Sequence, residues 1–127
     1  MSHFNRAIAP FVSAELHCAT QAQADGQPEI AFKFLERAHV LGQSATAQHV
    51  RVHWQMLRWG VAQRNLKEVL GQLFRLAGAA TKTAFGLVPE GNTGGTNISP
   101  FKALPIPAAL AECIKNAKNA SDLSHRN

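Results

Sequence analysis

Four stretches of helical apolar periodicity follow one another between residue 5 and about residue 86, parted by breaks of only a few residues. Connections this short leave neighbouring helices little choice but to pack antiparallel, so the expected fold is all-α, built of helical hairpins. The first stretch, residues 5–23, spaces Ile8, Phe11, Val12, Leu16, Ala19 and Ala22 on one face, with Pro10 expected to start the regular helix or bend it. Asp25-Gly26 breaks the chain, and Pro28 opens a second helix with Ala31, Phe34, Leu35, Ala38 and Leu41 on one side before Gly42 ends it.

A third helix, capped by Ser44 or Thr46 and running to about Arg64, offers Val50, Trp54, Leu57 and Val61 on one side. His49, His53, Met56 and Gly60 lie on the adjoining side. Asn65 caps a fourth, where Leu66, Val69, Leu70, Leu73, Phe74, Ala77 and Ala80 are expected to be buried, and which ends near Gly86. The composition then changes to a strap over residues 87–106, too rich in glycine and proline for a continuous helix. A short helix over 107–118 follows, burying Leu110 and Ile114, and 119–127 reads as a frayed tail. The architecture is thus tetratricopeptide-like or a four-helix bundle, in one domain covering 1–127.

Composition narrows the classes of function. The 127 residues suffice for one core without staples, and 46% hydrophobic with 17% charged residues excludes a disordered chain. The net charge of +5 is scattered along the sequence, so nucleic acid is not an expected partner. Cys18 and Cys113 lack the spacing of a thiolate metal site and read as reduced, buried thiols. No apolar run approaches the roughly 20 residues that cross a bilayer, and the N-terminal residues do not resemble a signal peptide. A cytoplasmic protein with no membrane partner is expected.

The chemistry resides in the histidines. His49 and His53 are four residues apart, hence on one helical face with Cβ atoms about 6 Å apart, a spacing that suits two imidazoles on one metal ion. If the turn between the second and third helices centres near Gln43 and Ser44, His39 falls beside His49 and Glu36 falls between His49 and His53 in height. Glu15, on the first helix, comes near the same level. His39, His49 and His53 with Glu36, or less favourably Glu15, therefore make a candidate site for zinc or another divalent transition metal. Val50 stands where the glutamate of HExxH would be, and Glu36-x-x-His39 is the only ExxH pair, so neither a zinc protease nor a di-iron bundle is indicated. The competing reading makes the histidines structural, hydrogen-bonded core residues. The segment GNTGGTN, 91–97, lacks the ending of a P-loop, so its glycines and asparagines are read as positive-φ turns, with Phe101, Leu104 and Ile106 laying the strap over the helices.

The words FLERAHVLGQ, HVRVHWQMLRWG and GLVPEGNTGGTNISPFKALPIP together resemble a small bacterial family, domain of unknown function 3703, over roughly residues 10 to 115. The matching residues are Glu36, His39, Gly42, Gln43, His49, His53, Trp54 and the 91–97 loop. The resemblance implies a link to heavy-metal resistance and so to metal handling, without assigning a role to any residue. Two functions follow. One is a small metal-binding sensor, buffer or chaperone; the other is a helical protein–protein interaction module, with a protein partner or self-association. No complete catalytic signature is present, so an enzyme is not expected.

Overall fold

The computed structural model describes the backbone of residues 2–84 and 89–126, and the side chains of these residues other than 80–84. Among the described residues there are five helices and no strand: α1 (His3–Ala24), α2 (Pro28–Gly42), α3 (Thr46–Ala62), α4 (Leu66–Ala84) and α5 (Ala108–Ser124). Ser2 caps α1 by accepting from the Asn5 backbone N–H at 3.1 Å, satisfying one of the unpaired donors at a helix start. Pro10 lies within α1, not at its start, and is exposed. An exposed proline ring displaces no core contact, so the helix runs through it. Asn65 caps α4, its Oδ1 accepting from Glu68 N–H at 3.0 Å, whereas α3 begins after Ala45 with no side-chain cap.

α1 pairs with α2, α3 with α4, and α5 closes against α1 and α2. Ile8, Val12, Leu16, Leu35, Leu41, Val52, Met56 and Leu110 form the core between them. Met56 is wholly buried, and its truncation to alanine is expected to cost about 2–5 kcal/mol. Gly42 lets α2 and α3 approach closely, since a Cβ there would come within 2.9 Å of the Gln48 Cβ. That approach brings the end of α2, with His39, over the start of α3, with His49 and His53.

Several faces differ from the sequence expectation. On α3 the inward side carries Val52, His53, Met56 and Leu57, while Trp54 and Val61 are exposed. On α4, Leu66, Leu70, Leu73 and Phe74 are exposed, and the buried positions are Glu68, Gln72 and Ala79. Periodicity alone turns the apolar face of α4 inward, but the space that α4 meets is already polar because the histidines occupy it. The expected burial of Ala80 and a helix end near Gly86 lie outside the described residues. Phe11 and Phe101 are exposed, and Cys18 is an exposed free thiol rather than a buried one. α5 runs on to Ser124, beyond the expected 118, because NASDLS contains neither glycine nor proline to stop it and Ala117 anchors it to the core. No helix among the described residues is long and apolar enough to cross a membrane.

Candidate metal centre

His39 near the C-terminal end of α2 and His49 and His53 on successive turns of α3 meet in the interior, each no more than 6% exposed. Their Nε2 atoms form a triangle: 3.0 Å from His39 to His49, 3.1 Å from His39 to His53, and 3.0 Å from His49 to His53. Among the described residues they are the one group of metal-ligating side chains close enough to share an ion, with all ligand atoms within 4.8 Å of one another.

The partners of the outer ring nitrogens fix which nitrogen carries the proton. His39 Nδ1 lies 2.6 Å from the Asn92 carbonyl, which can only accept, so Nδ1–H donates and Nε2 keeps a lone pair. His53 Nδ1 lies 2.6 Å from Gln72 Oε1. The Gln72 amide is held in that orientation because its Nε2 donates to Glu68 Oε1 at 2.7 Å and to the Gly94 carbonyl at 2.9 Å. His53 therefore also donates from Nδ1 and turns a lone pair inward. Glu68 is held in turn by Thr96, whose hydroxyl donates to Oε2 at 2.5 Å. An imidazole backed by a carbonyl or by a carboxylate relay is the usual support of a metal-ligating histidine, since it sets the tautomer and raises ligand basicity.

Burial keeps the His39 and His53 rings neutral. It holds His39 well below the ordinary imidazole range, with His53 and His49 adding repulsion against a charge. His53 is pushed down to about 4, again chiefly by burial, against the opposing hydrogen bond to Gln72. Neutral imidazole is the metal-binding form. Around a tetrahedral zinc ion with bonds of about 2.0 Å, nitrogens sit roughly 3.3 Å apart, so the triangle needs to open by only a few tenths of an ångström.

The strap completes the centre. Asn92 is buried, accepts from Gly94 N–H through Oδ1 at 2.9 Å, and donates through Nδ2 to the carbonyls of Ser99 and Lys102. Gly94 has φ +83° and lies flat on the His39 imidazole, where a Cβ would meet ring atoms at 2.5–2.9 Å. The 91–97 loop is thus pinned to His39, and to Gln72 and Glu68 behind His53. A cavity of about 280 Å³ opens from the three rings and is walled by Phe74, Ala79, Pro89, Pro100 and Arg75.

The carboxylates expected at this level are engaged elsewhere. Glu15 takes a bidentate pair of bonds from Arg37, at 2.8 and 3.0 Å. Glu36 faces Lys33 at 3.6 Å. Glu36 lies three positions before His39, which turns it about 60° away around the helix. Sequence reasoning missed Glu68, Gln72, Arg75, Asn92 and Thr96. The signal available for the first three was a polar line at helical spacing on α4, masked by the stronger apolar line beside it.

The described residues therefore form five helices around a buried cluster of three histidines able to hold a metal. A family model described as protein of unknown function (DUF3703) matches residues 6–114, and the chain belongs to that family. No curated protein and no solved structure matches it significantly. The family description names no activity, so it lends nothing to the link with heavy-metal resistance.

Proposed function

We propose that this chain is a small metal-binding protein that holds one divalent transition ion, zinc in the first place, on His39, His49 and His53, and works as a sensor, buffer or chaperone. The observation that carries this reading is the convergence of three ring nitrogens within 3.1 Å, two of them committed to the lone-pair form by acceptor-only partners. Facing lone pairs repel one another unless a cation lies among them. A proton can bridge two of the three; a divalent ion satisfies all three. Neutral nitrogen ligands suit zinc, cobalt, nickel and copper. Calorimetric titration of the metal-free protein with zinc and cobalt should show one site per chain, lost in His49→Ala. Neither heat nor thermal stabilisation with any of these ions would end the proposal.

A second reading, a helical interaction module with structural histidines, is favoured by one observation. Leu66, Leu70, Leu73 and Phe74 present an exposed apolar line on α4.

A further inference from the structure

The three imidazoles are neutral ligands, so they leave the charge of a divalent ion uncompensated, and among the described residues no carboxylate joins the group. The nearest buried carboxylate, Glu68, is committed to Gln72 and Thr96. The cavity that begins at the rings adds a second cation instead of an anion: Arg75 lines it. Its Nη2 donates to the Ile98 carbonyl at 2.8 Å, while its Nε is buried with no hydrogen-bond partner among the described residues; none of their carboxylates is close enough for an ion pair, and Glu68 attracts it only from farther off. A buried guanidinium N–H without an acceptor is costly, and a guanidinium fork is matched to carboxylate geometry. Among the described residues the other side chains on the wall, Phe74, Ala77, Ala79, Pro89 and Pro100, are apolar, apart from Asn92, whose amide is engaged by Ser99, Lys102 and Gly94.

Resting on the metal reading above, we propose that the fourth coordination position takes a small organic monocarboxylate, one oxygen on the metal, the carboxylate paired with Arg75, and a short hydrocarbon body in the apolar cavity. An anion there offsets both the metal and the guanidinium. The apolar walls select against a bare inorganic ion.

The test uses the full chain loaded with cobalt(II), whose visible absorption responds to the ligands around it. Butyrate should change the spectrum saturably, while the neutral butyramide should not. Arg75→Gln should weaken butyrate by about tenfold or more, as expected for loss of a charge-assisted pair, with cobalt stoichiometry retained. Should the glutamine variant fail to take up cobalt, Arg75→Lys decides: it should bind butyrate more weakly than the wild type, because an ammonium lacks the fork. A spectrum indifferent to butyrate, or butyrate affinity unaltered by the Arg75 substitution, overturns the carboxylate proposal and leaves the metal site standing. A wild-type chain that takes up no cobalt overturns the metal reading and this one with it.

Discussion

Gln72 Oε1 accepts the Nδ1 proton of His53 at 2.6 Å, and this one bond decides which ring nitrogen of His53 faces the other two histidines. Gln72 is wholly buried, and Glu68 and Gly94 lock its amide from the other side. Replacing it by leucine keeps the bulk but removes the acceptor. Gln72→Leu should lower metal affinity by about 10–100-fold, the range seen when the support of a ligating histidine is lost. Competition with a chromophoric chelator measures this directly. Unchanged affinity would mean that the relay does not tune the site.

Gly94 is bound to its identity twice, by its positive φ and by the His39 ring pressed against it. Gly94→Ala should destabilise the protein by about 2–4 kcal/mol, combining the left-handed backbone cost with overpacking. Denaturant unfolding of the metal-free protein reads this out. The same substitution should weaken metal binding, because the added methyl group displaces an imidazole that has to stay in place.

Glu36 supplies a pH dependence opposite in sign to that of the buried His39 and His53. Burial raises its carboxyl pKa, and the Lys33 ammonium 3.6 Å away only partly offsets this. A carboxyl whose folded pKa is raised binds more protons in the native than in the unfolded state, so stability falls as pH rises from its ordinary value through the folded one. Above that window the cost is complete. Glu36→Gln should therefore raise the melting temperature of the metal-free protein at neutral pH and steepen its fall on acidification, because His39 and His53, whose lowered pKa values cost stability as pH falls, are then no longer offset. Zinc affinity should be unaltered in this variant and in Glu15→Gln, since neither carboxylate joins the histidine group. A marked loss of zinc in either would restore a carboxylate to the ligand set.

The exposed line on α4 makes a different kind of prediction. Leu70→Ser should alter stability by no more than about 0.5 kcal/mol, as for an exposed position free of special features. Sedimentation of wild type and variant should reveal whether the line is a self-association surface: if so, the serine substitution weakens the oligomer without unfolding it. A loss of several kcal/mol would show that Leu70 is part of the core.

What the sequence revealed depended on whether periodicity alone decided the matter. The helices of the first 84 residues follow from apolar spacing and short breaks. The meeting of His39 with His49 and His53 follows from a hairpin register that Gly42 permits. Hairpin register sets Glu36 at the height of His49 and His53, but its rotation about the helix axis places it against Lys33. α4 departs from the expectation because Leu66, Leu70 and Leu73 make a stronger apolar signal than Glu68 and Gln72 make a polar one. Only the histidines opposite explain why the polar side turns inward. The role of the 91–97 loop was out of reach of local rules, since the His39 to Asn92 bond joins residues 53 positions apart.

X-ray absorption at the zinc edge of the zinc-loaded protein tests the three-histidine centre most directly. The prediction is one zinc per chain with only nitrogen or oxygen neighbours at about 2.0–2.1 Å, three of them imidazoles identified by outer-ring scattering. A sulfur neighbour at about 2.3 Å would move the metal to Cys18 or Cys113, and a chain that retains no zinc at stoichiometric loading would contradict a metal centre altogether.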